Sequence, residues 1–134
     1  MEITNRIYNE VVHLPRCETY GLRSQMTRAA VSMPSNIAEG CAKSSKKHFR
    51  TFLENALGSA YELETQVYIA RDQGYFSGQS ANELAIGIID FQKKLTRFMG
   101  MIEEDIRKER NKNLRKGGTA IVVLILTTVA YLFT

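Results

Sequence analysis

The sequence predicts an all-α protein, an up-down-up-down four-helix bundle with a kinked second helix and an apolar C-terminal tail. Three observations lead to this prediction. Apolar residues recur every three or four positions in four segments, turn-forming residues separate the segments, and no alternating strand pattern is sustained. With 134 residues, 44% hydrophobic and 24% charged, the chain has the size and composition of one globular domain. Short connections make the antiparallel bundle the simplest topology.

The first two helices are predicted at residues 3–14 and 22–43, with Pro15 ending the first and Gly40 marking the end of the second. The apolar face of the first consists of Ile3, Ile7, Val11 and Leu14. The apolar face of the second consists of Leu22, Met26, Ala29, Ala30, Met33, Ile37 and Cys41.

The third and fourth helices are predicted at residues 46–73 and 80–113, with Ser44 or Ser45 as the N-cap of the third and "GYFSG" separating the two. The seam of the third helix consists of Phe49, Leu53, Ala56, Ala60, Leu63, Val67 and Ala70. The seam of the fourth helix consists of Leu84, Ile88, Phe91, Leu95, Phe98, Ile102 and Ile106.

The stretch "AVSMPSNIAEG", residues 30–40, interrupts the second helix with a proline. Pro34 has no N–H to donate to the Ala30 carbonyl, and its ring pushes that carbonyl aside, so a kink is expected there. Ser32, Ser35 and Asn36 are candidates to satisfy the freed backbone groups. We interpret the stretch as a packing device that lets the second helix cross the small residues "ALGSA" of the third closely.

The C-terminal residues 119–134 carry no charge and follow the basic, then flexible, stretch "RKERNKNLRKGG". This composition boundary divides the chain into a bundle, residues 1–116, and a linker and tail, residues 117–134. As a helix, the tail is about 24 Å long, close to the lower limit for crossing a membrane, and Lys112, Arg115 and Lys116 suit a cytoplasmic flank. We predict a membrane anchor; the alternative is a fifth helix or a strand packed on the body or on a neighbouring subunit.

Residues of the types that bind metals or catalyse reactions are few, and they predict neither a cofactor nor a metal site. "EVVH", Glu10 to His13, matches half of a di-metal bundle motif, but no second half exists. No amino-terminal signal peptide is evident, so Cys17 and Cys41 are expected to be reduced thiols of a cytoplasmic protein, with Cys41 buried as a small residue. The chain is therefore expected not to be an enzyme.

The net charge of +4 permits an anionic partner without identifying one, and a candidate surface lies where the third helix begins. Lys43, Lys46, Lys47 and Arg50 crowd that helix start, where positive charge opposes the helix dipole and invites an anionic partner such as RNA or DNA. The alternative is a solvated, lysine-rich turn. No one-sided aromatic platform for stacking bases is evident.

Two further arginines are candidates for the same nucleic-acid surface. Arg23 and Arg28 lie in the second predicted helix and carry positive charge. Arg28 has an alternative role, because it could pair with Glu62 or Glu64 inside the bundle.

Two long stretches carry a resemblance to a known family. "YGLRSQMTRAAVSMPSNIAEG" and "FLENALGSAYELETQVYIARDQGY" closely resemble the four helix bundle proteins associated with intervening sequences of 23S ribosomal RNA genes. The resemblance implies a bacterial, cytoplasmic four-helix bundle that assembles into a homopentamer and has no established enzymatic activity. A related branch, the accessory proteins of diversity-generating retroelements, binds nucleic acid through a basic surface.

This sequence departs from the family pattern at three places. The first helix is shorter, Thr27 stands where a basic residue commonly precedes the arginine matched by Arg28, and "CAK" replaces an aromatic and glycine-rich turn. The apolar tail also lies outside the pattern. The expected function is a nonenzymatic homo-oligomer that binds nucleic acid, with a structural or protein-interaction scaffold as the alternative.

Overall fold

The computed structural model describes the backbone of residues 2–133 and the side chains of residues 2–115. It divides into two units, Met1–Gly100 and Met101–Thr134. Its helices are α1 (Glu2–Val11), α2 (Leu22–Cys41), α3 (Lys46–Asp72) and α4 (Gly78–Phe133), with a 3₁₀ turn at Arg16–Glu18 between α1 and α2. The predicted all-α class is confirmed, and the packing of the helices in the first unit is that of a four-helix bundle.

The predicted helix ends agree with the structure to within a few residues, except at the end of α4. Ser45 is the N-cap of α3, and its Oγ accepts a hydrogen bond from the backbone N–H of His48 at 3.4 Å. Beyond α3, Gly74 adopts a φ of 74°, a left-handed conformation that suits glycine. The helix α4 continues to Phe133, past the end predicted at residue 113.

The predicted anchor, residues 119–134, lies outside the residues whose side chains the structure describes. The same holds for the predicted division at residue 116, so both remain predictions. Within the described part of the chain, no helix is both long and apolar enough to span a bilayer.

The core of the first unit is formed by the faces that the helical periodicity predicts. On α3, every seam residue from Leu53 to Ala70 is buried, and on α1 and α2 the residues Ile7, Val11, Met26 and Met33 are almost completely inaccessible. The seam of α4 is less completely buried: Phe91 and Ile106 are half-buried and Phe98 is 41% exposed, whereas the neighbouring Met99 is buried.

The helix α2 continues through Pro34, and another helix supplies a donor for the carbonyl that the proline leaves free. Thr4 of α1 donates a hydrogen bond from its Oγ1 to the carbonyl oxygen of Ala30 at 2.9 Å. This is the carbonyl to which residue 34 would donate in an uninterrupted helix. The expectation that neighbouring side chains of α2 satisfy this group is therefore wrong, and the reason is that α1 packs directly against this turn.

The side chains near Pro34 instead connect α2 to α3. Asn36 donates from Nδ2 to the carbonyl oxygen and to the Oγ of Ser32, both at 2.9 Å. Ser59 of α3 donates from its Oγ to the Ser32 Oγ at 2.8 Å. These bonds support the interpretation of "SMPSN" as a packing element.

Close approach of α2 and α3 depends on Gly40 near the end of α2. A Cβ atom at this position would lie 2.8 Å from Cδ2 of Phe49 and 2.9 Å from Cβ of Phe52. Both side chains therefore rest directly against the backbone of α2. In contrast, Gly58 of α3 has no described atom within 4 Å of an added Cβ, so it is not the glycine that allows the helices to meet.

Candidate nucleic-acid interface

The side chains of Lys43, Lys46, Lys47 and Arg50 form what we call the basic corner, at the connection between α2 and α3. Lys43 lies just beyond the C-cap of α2, and the other three occupy the first turns of α3. The three lysines are exposed and Arg50 is half-buried. The short connection therefore gathers four positive charges at one end of the helix pair, as the sequence predicts.

Acidic side chains one helical turn away offset part of this charge. Nζ of Lys43 lies 3.6 Å from Oε1 of Glu39, and Nη1 of Arg50 lies 2.7 Å from Oε1 of Glu54. The stretch from Glu39 to Glu54 thus carries a net charge of +2. Exposed pairs of this kind stabilise a fold by about 0–1 kcal/mol, so a phosphate can compete for the cations.

The start of α3 adds a further positive contribution to the basic corner. Its first turn contains no acidic residue, although an acid is the residue type that the helix dipole favours there. Lys46 and Lys47 occupy that turn instead. The arrangement places like charges at the positive end of a 27-residue helix, and an anion would relieve the repulsion.

Three phenylalanine rings lie beside the basic corner, a grouping that the sequence patterns do not predict. Nζ of Lys43 lies 4.6 Å from the ring centroid of Phe52, which is a cation–π distance. The rings of Phe49 and Phe98 meet edge to face, with centroids 6.0 Å apart and an interplanar angle of 73°. Phe49 is near the start of α3, and Phe98 is near the end of the part of α4 that belongs to the first unit. In an antiparallel helix pair these two positions lie at the same end, and this signal could have placed the two rings together.

The two arginines of α2 lie away from the basic corner. From the helical rise, Arg23 is about 30 Å and Arg28 roughly 22 Å from Lys43 along the helix axis. Arg23 and Arg28 therefore remain predicted contacts of their own, separate from the basic corner.

Arg28 lines a groove of about 330 Å³ between α2 and α3. The other lining residues are Gln25, Ala29, Ser32, Ser59 and Glu62. Of the two carboxylates considered as partners of Arg28, Glu62 lies in this groove and accepts a hydrogen bond from Gln66 Nε2 at 2.9 Å. Glu64 instead accepts hydrogen bonds from Gln92 Nε2 at 2.6 Å and from the Tyr68 hydroxyl at 3.3 Å.

The residues weighed for metal and thiol chemistry are dispersed. Among the described side chains, no three His, Cys, Asp or Glu residues come together as a metal site. Cys17 and Cys41 are both free and exposed. The expectation of a buried Cys41 is wrong, because this residue ends α2 and lies next to the open turn.

Comparisons with known proteins agree with this architecture. Residues 1–97 match the family model described as "23S rRNA-intervening sequence protein". A crystal structure of a protein of unknown function, from the S23 ribosomal protein family of Bacteroides thetaiotaomicron, matches with a TM-score of 0.68 and 22% identity over 73% of this chain and 92% of that chain. No curated protein matches. The link to diversity-generating retroelements stays a prediction. Because the family match covers most of the chain, the protein belongs to the 23S rRNA-intervening sequence protein family.

Proposed function

We propose that this protein is a nonenzymatic, homo-oligomeric helical bundle that binds nucleic acid through the basic corner, in the cytoplasm. The observation that carries the proposal is the concentration of Lys43, Lys46, Lys47 and Arg50 at the start of α3, where no acidic residue occupies the first turn. Flexible cations of this kind contact phosphates without reading the bases. The family description, which refers to 23S rRNA, is consistent with an RNA ligand.

Self-assembly is supported by apolar side chains on the outer faces of the helices. Several large hydrophobic residues on the helices of the first unit are 40–60% exposed: Tyr8, Val31, Tyr61, Ile69 and Ile86. A homo-oligomer, expected to be a pentamer, would cover part of this surface and repeat the basic corner around a symmetry axis. One nucleic-acid chain could then contact several copies of the basic corner at once, and the high effective concentration of the copies would raise the overall affinity.

A binding titration with two charge-matched variants tests this proposal. In the full chain, one variant replaces each residue of the basic corner with glutamine. The control variant replaces four exposed basic residues elsewhere with glutamine: Arg16, Arg71, Lys108 and Arg110. We expect the first variant to lose affinity for RNA and DNA together by about ten-fold or more, because each phosphate contact adds a counterion-release contribution.

The control has the same net charge and should bind nearly as the wild type does. Equal losses in both variants would show that total charge matters and the basic corner does not. If the wild type binds neither RNA nor DNA at low salt, the scaffold alternative replaces the proposal, with the exposed apolar faces as its interaction surface.

A further inference from the structure

The most unusual side chain beside the basic corner is Phe98. Its position in the α4 seam predicts burial, but 41% of it is exposed. A large exposed aromatic ring usually moves among rotamers, and a ligand that binds to it loses affinity because it must hold the ring still. A ring already held by neighbouring side chains avoids this cost.

Phe98 is held in place through a chain of packed groups. Its ring meets that of Phe49 at a centroid distance of 6.0 Å in an edge-to-face arrangement, which is a favourable aromatic geometry. Phe49 in turn lies against Gly40, where an added Cβ would approach its ring to 2.8 Å. The exposed ring is thus supported by a partner that is itself packed on the backbone of α2.

Basic residues neighbour both rings of the pair along their helices. Phe49 lies between Lys46 and Arg50 on the first turns of α3, and Arg97 is the exposed neighbour of Phe98 on α4. Single-stranded nucleic acid is bound in proteins by this combination, because cations follow the backbone while aromatic faces stack on the bases. A duplex keeps the faces of its bases stacked inside, so such a ring has no base face to contact there.

We propose that Phe98, supported by Phe49, is a stacking platform for an unpaired base, which makes single-stranded nucleic acid the ligand class of the basic corner. This inference rests on the nucleic-acid binding proposed above. Lys46, Lys47 and Arg50 hold the phosphates, and Phe98 distinguishes a strand with accessible bases from a duplex.

The test compares three probes of equal length: an oligothymidylate, an abasic deoxyribose-phosphate oligomer and a DNA duplex. We expect the full-length wild type to bind the oligothymidylate about five-fold or more tightly than the abasic oligomer. This factor corresponds to the stacking of one base on an aromatic ring. Phe98→Leu keeps an apolar side chain but removes the aromatic face. It should abolish this preference and leave binding of the abasic oligomer unchanged.

Tyr20→Leu is the matched control, because Tyr20 is an aromatic residue that is 95% exposed and lies just before α2, at the end of that helix opposite to Lys43. It should keep the preference of the wild type. Equal wild-type binding of the oligothymidylate and the abasic oligomer overturns the stacking platform while leaving phosphate binding intact. The same preference in Phe98→Leu also overturns it. Absence of binding to all three probes overturns both the platform and the proposed function.

Discussion

Thr4 of α1 donates its hydroxyl proton to the carbonyl oxygen of Ala30 in α2 at 2.9 Å. The carbonyl needs this donor because Pro34, four residues later, has no N–H. The proline and the threonine thus form one structural unit, although 30 positions separate them in the sequence. The unit fixes the packing of α1 on the middle of α2.

Thr4→Val should lower the free energy of unfolding by about 1 kcal/mol in the wild-type background, because it leaves the Ala30 carbonyl without a donor. In a Pro34→Ala background the cost should be smaller, since the alanine introduced there has a backbone N–H that can donate to the same carbonyl. Urea unfolding of the two single variants and the double variant measures the coupling. Thr51→Val, which removes only a hydroxyl bonded within its own helix, is the control. Equal cost of Thr4→Val in both backgrounds would refute the relationship.

Two substitutions in "ALGSA" should have opposite effects on stability. Ala60→Leu overpacks a fully buried position and should cost about 1–3 kcal/mol. Gly58→Ala should stabilise the helix by up to about 1 kcal/mol, because an added Cβ meets no described atom within 4 Å. Thermal unfolding measures both. The reverse order of melting temperatures would contradict the placement of these two residues.

The close contact of α2 with α3 makes Gly40 sensitive to a single methyl group. Gly40→Ala introduces a carbon within 3 Å of Phe49 and Phe52, so we expect a loss of about 1–3 kcal/mol in unfolding free energy. Gly100→Ala, at an exposed helical position where a Cβ meets no described atom within 4 Å, is the control and should be neutral or stabilising. A neutral Gly40→Ala would mean that the rings move aside freely, and Phe49 could not then hold Phe98 in place.

Self-assembly should be a property of the body of the chain. Residues 1–116 should form a symmetric oligomer in light scattering at micromolar concentration, with pentamer as the expected state. Tyr61→Glu with Ile69→Glu places two charges on exposed apolar positions of α3 and should reduce the mass. Asn82→Glu, on an exposed polar position of α4, should not. A wild-type monomer would contradict the prediction.

Association with membranes tests the apolar tail. Residues 119–134 should direct the chain to the membrane fraction of cells, and Leu124→Lys with Leu126→Lys should release it, because charges in the hydrocarbon core are costly. Lys112→Gln, which leaves the tail apolar, is the control. Recovery of the wild type in the soluble fraction would exclude the anchor and favour packing of the tail on protein.

The sequence allows the faces of the helices to be predicted, because burial along one helix follows its period of about 3.6 residues. The α3 seam from Leu53 to Ala70 is an example. What cannot be read from a single helix is the relative placement of two helices. The bond from Thr4 to Ala30 and the ring pair of Phe49 and Phe98 both depend on that placement. The basic corner was predictable because a short connection keeps its members close in sequence.

The salt dependence of wild-type binding tests the central claim most directly. Affinity for a single-stranded oligonucleotide is measured across a salt series, for the wild type and for the variant with glutamine at Lys43, Lys46, Lys47 and Arg50. With three or four phosphates contacted at the basic corner, log affinity should fall with log salt at a slope of about −2 to −3 for the wild type, and the slope should flatten in the variant. An unchanged slope in the variant, or a wild-type slope near zero, would contradict the account.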